Sequence, residues 1–398
     1  MSEIAHIPQL RFPEFNGEWE EKALGVVATI TTGSTPSTSN NEYYDGDVAF
    51  VSPADIQGNR IVRSTKTTIT ELGLSVVREI KKRSTLFVCI GSTIGKVSQA
   101  GVNCATNQQI NALTAKNSFD NDFIYSLLEF KAPRIKLLAG VQAVPQINKS
   151  EFSRFKFTFP LLPEQQKIAA FLTAVDNKIE QLSKKQELLG EYKKGLMQQI
   201  FSQVIRFKAG DTPGQPLLPN GNSPSGSDFP NWEEKRLGDL CEITTGKLDA
   251  NAMVEGGQYR FYTCAKEYYK IDDYAFDTDA LIVSGNGANV GYIHHYQGKF
   301  NAYQRTYVLD SFTDNIIFVK FVLDEYLHKR IMKEKNEGNT PYIVMGTLTD
   351  MKINLPSFSE QTKIAIFLSS IDSKIEQVGK QLDESKQFKK ALLQQMFV

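Results

Sequence analysis

One long stretch of this chain occurs twice, and no other feature limits its fold as strongly. Glu164 to Phe201 reads EQQKIAAFLTAVDNKIEQLSKKQELLGEYKKGLMQQIF, and Glu360 to Phe397 reads EQTKIAIFLSSIDSKIEQVGKQLDESKQFKKALLQQMF, with about half the positions identical and no gap. Self-similarity over such a length points to a structural unit used twice. In the first copy Ile168, Leu172, Val175, Ile179, Leu182, Gln186, Leu189, Lys193, Leu196 and Ile200 recur at alternating steps of four and three. The second copy repeats the spacing with Ile364, Leu368, Ile371, Ile375, Val378, Leu382, Ser385, Lys389, Leu392 and Met396. A mean step of about 3.5 residues is the period of a coiled-coil seam. At ~1.5 Å per residue each helix is roughly 55 Å long, with only a narrow apolar stripe to bury. The nearest matching stripe is the other copy, so the helices are expected to pair rather than lie on separate cores. The polar members Gln186, Lys193, Ser385 and Lys389 are expected to set register at some cost in stability.

A second repeat lies upstream of the first. Trp19 to Gly33 (WEEKALGVVATITTG) matches Trp232 to Gly246 (WEEKRLGDLCEITTG), and an Arg-Phe pair precedes each, at Arg11-Phe12 and Arg206-Phe207. The chain therefore reads as a lead-in segment, a globular domain and a long helix, used twice. Lys208 to Asp228 is rich in Pro, Gly and Ser, the composition of an exposed, mobile linker. The expected division is a first globular domain over 1–160, a first helix over 161–203, a lead-in and linker over 204–228, a second domain over 229–355 and a second helix over 356–398.

Within the first domain Val48 to Val51 and Leu86 to Ile90 read as short strands, and Val97 and Ile110 to Leu113 lie in further strand-like runs. Asn121 to Phe130 is helical in pattern, with Phe123, Leu127 and Leu128 on one face, and Pro133 is expected to break or kink it. In the second domain Ala280 to Val283 matches the Leu86 strand, Gly285 to Gly291 the Gly91 to Gly95 turn, and Ile316 to Met332 the helix. Each domain is thus mixed α+β. Pro163 is placed just before the first long helix, and Ser359 as the N-cap of the second. Away from these landmarks the domains differ, which suggests one job done on two targets.

The search for chemistry is mostly exclusion. Lys+Arg and Asp+Glu both number 45, and a zero balance argues against a protein that coats nucleic acid indiscriminately. Cys89, Cys104, Cys241 and Cys264 have no CxxC spacing and read as reduced thiols. The first residues lack the basic and apolar regions of a signal peptide, and no apolar run approaches a membrane span; the expected location is the cytoplasm, with no membrane partner. Gly91 to Val97 (GSTIGKV) looks like a phosphate loop, but it is one residue short and has Val97 where a Mg²⁺-binding hydroxyl belongs. It reads as a tight turn between strands, and Ser284 to Gly291 as the same turn in the second unit. His6, His294, His295 and His328 show no metal-ligand spacing and read as surface residues. There is no nucleophile elbow and no Asn-Pro-Pro-Tyr-type methyltransferase stretch. No catalytic residue and no metal ligand is nominated.

Basic and amide side chains offer more. Arg60, Arg63, Lys66, Lys81, Lys82 and Arg83 punctuate the first domain, and Lys131, Arg134 and Lys136 follow its helix. Lys320, Lys329, Arg330, Lys333 and Lys335 stand at the corresponding place in the second. A basic strip recurring at one site of both copies suits phosphates, although a solvated helix face has the same composition. Asn107, Gln108, Gln109, Gln304 and Arg305 flank strands and carry the groups that read adenine and guanine, although each is also an ordinary surface residue. Arg260, Asn286 and Asn289 complete the candidate set.

Two divergent domains, each followed by a near-identical helix that begins LPEQQKIA and ends YKKGLMQQIF in the first copy, resemble the specificity subunit of a type I restriction–modification system. TTGSTP, YYDGDVAFVSPADI and the GSTIGK turn carry the same resemblance; the second domain departs from it with TTGKLDA and GNGANVG. The resemblance implies two α+β target recognition domains separated by an antiparallel pair of helices, with an internal pseudo-twofold repeat. Each domain would read one half of a bipartite, asymmetric site on double-stranded DNA. The helices would space the readers and dock two methyltransferase subunits, and restriction subunits would join the complete complex. The specificity chain itself is non-catalytic in that family, with S-adenosylmethionine, ATP and Mg²⁺ on partner subunits and no cofactor of its own. A competing reading is an interaction scaffold: the same coiled coil carrying two protein-binding domains and no nucleic acid.

Overall fold

The computed structural model describes residues 7–139, 145–211, 229–334 and 341–398. Most of the expected linker, together with His6 and Lys335, lies outside them.

The first half of the chain runs β1 (Glu20–Ala23), α1 (Leu24–Val27), β2 (Ala28–Thr32), β3 (Tyr44–Val51), β4 (Ile61–Val62), β5 (Thr67–Ile69), α2 (Glu71–Ser75), β6 (Thr85–Val88), β7 (Val97–Ala100), β8 (Cys104–Thr106), β9 (Ile110–Ala115), α3 (Asn121–Leu138), α4 (Lys149–Arg154), β10 (Lys156–Phe159) and α5 (Leu162–Phe201). The second runs β11 (Glu233–Arg236), β12 (Glu242–Thr245), β13 (Tyr259–Tyr262), β14 (Tyr269–Ile271), β15 (Phe276–Ser284), β16 (Ile293–Ala302), β17 (Thr306–Asp310), α6 (Ile316–Glu334), α7 (Met345–Thr349), β18 (Lys352–Leu355) and α8 (Phe358–Met396). Two compact units result. One extends to Lys185 and resumes from Val378 to Val398; the other is Gln186–Gln377. Each unit therefore holds half of each long helix.

In the first unit the sheets are β2-β9-β6-β7-β4, β5-β3-β8 and the pair β1-β10; in the second they are β12-β17-β15-β16-β13-β14 and β11-β18. The apolar run Leu86 to Cys89 is buried on both faces, as a strand between two layers must be. Phe87 and Cys89 join the core against α3, while Leu86 and Val88 join a second core with Val51, Ile56 and Cys104. β15 alternates in the same way, with Leu281 and Val283 toward α6 and Ala280 and Ile282 toward Tyr262 and Phe300.

The repeated lead-in closes onto the start of each long helix. β1 pairs antiparallel with β10, and β11 with β18, each the strand just before its helix. Arg11 grips Glu164 through two bonds of 2.7 and 2.8 Å, and Arg206 grips Glu360 through two of 3.1 and 2.7 Å. The carboxylates are almost wholly buried, and each guanidinium also donates to main-chain oxygens of its own lead-in, Gly17 and Asn16 or Phe229 and Pro230. Beside them Gln165 and Gln361 are buried. Each donates to the preceding proline carbonyl (Pro160, Pro356) and accepts from the main chain before the domain helix, at Asp120 N and Asn315 N. The Glu-Gln pair of the repeat thus ties lead-in, last strand and domain helix to one helical turn.

The seam follows the expected spacing. Ile168, Leu172, Leu182 and Val378 are buried in the first unit, with Val175 and Ile179 half-buried; Ile364, Leu368 and Ile371 are buried in the second, with Ile375 half-buried. In the first unit the early turns of α5 share a core with Leu392 and Met396 of late α8; in the second, Leu196 and Ile200 of late α5 share one with Ile364 and Leu368 of early α8. That exchange of halves is the antiparallel arrangement. Two of the four polar seam positions form ion pairs, Lys389 of α8 with Asp176 of α5 at 2.6 Å and Lys193 of α5 with Asp372 of α8 at 2.6 Å, while Ser385 bonds back to Gln381 O of its own helix. Lys193 and Lys389 are equivalent residues of the repeat, as are Asp176 and Asp372, so one ion pair is built twice with the helices exchanged. Near their ends the helices bury a second face, including Ala169, Met197, Ala365 and Phe367, because the domains cover it.

Three local expectations are corrected. α3 continues through Pro133 to Leu138; the proline lies on the exposed side, where water can satisfy a freed carbonyl. α8 starts before Ser359, and Ser357 caps it, its Oγ accepting from Glu360 N at 3.4 Å. Pro163 sits inside the first turn of α5, where its missing N–H costs nothing.

Glu164→Ala leaves the largely buried Arg11 without its carboxylate and should cost about 3–5 kcal/mol. Glu14→Ala, at an exposed pair with Lys167, should change stability little. Urea unfolding of both variants measures the contrast; equal losses would show that the buried grip carries no special weight.

Candidate nucleic-acid interface

At one edge of the main sheet of each unit three loops converge, and the two units build them alike. The first is the turn with two glycines. Gly91 and Gly95 have φ of +92° and +90°, Gly287 and Gly291 have +79° and +81°; this left-handed region favours glycine. Gly95 N bonds Val88 O at 2.9 Å, and Gly291 N bonds Ser284 O at 2.8 Å. The equivalent of Gly91 is therefore Gly287, not Gly285 as the sequence match had it; Gly285 occupies the place of Cys89. In the first unit the turn leads into β7, and Lys96 donates to Pro53 O at 3.3 Å, so it is a strand connection without the helix a phosphate loop requires.

The second loop is a three-residue tip, Asn107-Gln108-Gln109 before β9 and Tyr303-Gln304-Arg305 before β17. Ile110 N bonds Asn107 O at 3.2 Å and Thr306 N bonds Tyr303 O at 2.8 Å. The third loop follows the repeated Ile-Thr-Thr-Gly. A Cβ on Gly33 would lie 2.2 Å from Asn107 O, and one on Gly246 2.0 Å from Ala302 O. The motif ends in glycine because the loop passes against the backbone of the tip. From this loop Thr35 Oγ1 donates to Gln108 Oε1 at 2.8 Å, and Asp249 accepts from Gln304 Nε2 at 3.0 Å. A short segment completes the edge, with Ile147 N on Cys89 O at 2.9 Å and Ile343 N on Gly285 O at 2.8 Å.

Of the residues nominated from sequence, Asn107, Gln108, Gln304 and Arg305 meet at these edges, with Asn286 and Asn289 in the glycine turn. Asn289 Nδ2 is engaged by Cys264 O at 3.1 Å. Lys136 borders the Gly95 turn and, like Arg134, is exposed. Lys66, Lys81, Lys82 and Lys333 are exposed as well.

The others do not form the expected strip. Arg60 is buried (8% exposed), paired with Asp176 at 2.8 Å and Asp122 at 3.0 Å and lying over the Tyr125 ring. It joins the domain to the helix pair and is not available to a phosphate. Burial pushes the Asp122 carboxyl up, but bonds from Gln99 and Arg83 and the charge of Arg60 outweigh it and hold the group below its ordinary value. Arg83 is bound to that carboxylate, and Arg63 to Glu180 at 2.8 Å. Lys131 donates to the main-chain oxygen of Val398 at 2.6 Å, and burial lowers its pKa. Lys329 pairs with Glu325, and Arg330 with Glu334 at 2.8 Å. Arg260 lies between Tyr268 and Tyr296, 4.4 and 4.2 Å from their ring centres. His294, read as a surface residue, is half-buried, bonded to Ala265 O at 3.0 Å, and burial lowers its pKa.

Sequence reading missed Tyr303, Thr35 and Asp249. The available signal was the constant separation of the copies, which continues from the long helices back through Gln108 and Gln304 to the glycine turns. Among the described residues no group of three or more His, Cys, Asp or Glu could hold a metal. Burial pushes the free thiols of Cys89, Cys104 and Cys241 up to about 12, so they are protonated and poor nucleophiles at neutral pH.

Residues 16–189 and 230–385 match the family model described as the type I restriction modification DNA specificity domain. The chain belongs to this family. It is a DNA-recognition chain, and the scaffold reading without nucleic acid is not favoured. A relative in Escherichia coli, the type I restriction enzyme EcoDI specificity subunit, is 41% identical over 167 residues, which span 41% of this chain and 37% of that protein. The MjaIX specificity subunit of Methanocaldococcus jannaschii is 24% identical over 404 residues, covering 94% of this chain and 92% of its own. Among solved structures, the S subunit of a type I system from M. genitalium superposes with a TM-score of 0.69 at 19% identity, over 98% of this chain and 99% of that one. The family's two specificity domains are thus the two halves of this chain, each with its own loop edge.

Gly246→Ala forces a Cβ into the backbone of the tip and should destabilise the protein by about 1–3 kcal/mol. Gly190→Ala, inside α5 with nothing within 4 Å of the new Cβ, should stabilise it by about 0.5–1 kcal/mol. Thermal unfolding distinguishes the two, and a tolerated Gly246→Ala would count against the close approach.

Proposed function

We propose that each globular domain reads one half of a bipartite, asymmetric site on double-stranded DNA, while the helix pair sets the length of the unread spacer. The observation that carries this is the duplicated loop edge: one backbone framework in both units, bearing different side chains. Such an arrangement suits two different short sequences read in the same manner. α5 and α8 each run unbroken from one unit into the other, as a spacing device requires.

The helices also dock two methyltransferase subunits, and restriction subunits complete the complex. Tyr192 and Phe388 hold the same place in the two helix copies, and both are about half exposed. Aromatic side chains at equivalent exposed positions suit two copies of one partner. The chain performs no catalytic step in this scheme; S-adenosylmethionine, ATP and Mg²⁺ belong to the partner subunits, which also supply much of the phosphate contact beside a chain of zero net charge. The complex operates in the bacterial cytoplasm, in keeping with the finding that no helix among the described residues is long and apolar enough to cross a membrane.

The test is reconstitution with the methyltransferase subunits, followed by mapping of methylated sites. A bipartite site with an unread gap is expected, and exchanging residues 20–155 for those of another family member should change one half-site only. A change in both halves, or methylation without sequence preference, would sink the reading.

A further inference from the structure

The two loop tips carry the same glutamine and differ beside it. Gln108 and Gln304 are equivalent, but Gln109 of the first unit is replaced by Arg305 in the second. The backbones are held alike: Gln109 O accepts from Cys89 N at 2.8 Å, and Arg305 O accepts from Gly285 N at 2.9 Å. Their side chains are not. Gln109 is half-buried, and its Oε1 is taken by Asn107 Nδ2 at 2.9 Å. Arg305 is exposed, and its guanidinium makes no hydrogen bond or ion pair among the described residues. This contrasts with Arg11, Arg60, Arg63, Arg83, Arg206 and Arg330, all of which are engaged within the fold.

The tip that presents Arg305 is rigid. Its main chain is bonded to Gly285, Gly246 is packed against the start of the tip, and the neighbouring Gln304 is braced by Asp249. Arg305 borders an open recess of about 300 Å³ with Gln304, Tyr307 and Tyr342. An unengaged planar fork on a fixed backbone has the chemistry to match two acceptors on one base edge, and guanine O6 and N7 in the major groove are that pair.

We infer that Arg305 reads a guanine in the half-site of the second domain, and that the first domain, with Gln109 tied to Asn107 at the equivalent position, makes no such contact there. This rests on the proposed function above. The test maps methylated sites for complexes carrying the wild-type chain, Arg305→Gln and Arg305→Lys, with the half-sites assigned by the exchange of residues 20–155. The wild type should require a G·C pair in the second half-site. Both variants should lose preference at that pair by about five- to a hundredfold, with the first half-site and the spacer unchanged. Lysine keeps the charge without the fork, so a variant Arg305→Lys that retains full preference, alongside uniform weakening by Arg305→Gln on all sequences, would mark a phosphate contact and overturn the inference. An unchanged second half-site in Arg305→Gln would overturn it as well, while leaving the proposed function standing. A wild-type complex without a bipartite site would remove both.

Discussion

Everything in each unit is referred to one buried charge pair at the first turn of a long helix. Glu164 and Glu360 have almost no exposure, and each is bonded at two oxygens by the arginine of its lead-in. Burying such a pair is expensive, and its net contribution to stability is small or negative compared with apolar packing. What it provides is geometry. Neither partner tolerates loss of the other, so the lead-in can dock in one place only. The adjacent glutamine adds the main chain before the domain helix to the same turn. Helix, lead-in and domain are therefore tied together within a unit.

The same logic applies along the helix pair. A purely apolar seam would allow the helices to slide by a heptad, whereas Asp176–Lys389 and Lys193–Asp372 meet at one register. In the first unit the seam charge is also shared with the domain, since Arg60 binds Asp176 and Lys389 binds Glu129 at 2.5 Å. Both units set the seam lysine against an equivalent ring, Lys389 5.8 Å from the centre of Tyr125 and Lys193 4.8 Å from that of Phe321. The contacts of Arg60 and Glu129 are added to this shared arrangement in the first unit.

The loop edge proposed for recognition is stiff through its backbone. Left-handed glycines, the close pass of Gly33 or Gly246 and short backbone bonds hold the loop edge. None of these devices uses the side chains of the tip. Exchanging Gln109 for Arg305 consequently alters what the edge presents without altering how it is held, which is the property a reader of variable sequences needs.

The sequence alone determined the duplication, the seam spacing of the two long helices and the tips as strand-flanking loops, because each is written in a local or periodic pattern; the antiparallel pairing was implied by the family resemblance, and burial of the central strands on both faces was found in the structure. Only the tertiary structure decided which cations are available. Arg60 and Arg305 are both arginines in turn-rich surroundings, yet one is sealed against a carboxylate 116 residues away and the other is unengaged. Lys131, Arg83 and Arg330 are likewise engaged within the fold, although Arg83 remains exposed. One-dimensional spacing does not say which carboxylate meets which cation, since that depends on strand register and on the docking of α5 and α8. The equivalence of Gln109 with Arg305 is legible in the constant separation of the copies, and the structure adds that both tips are bonded to the same point of their sheets.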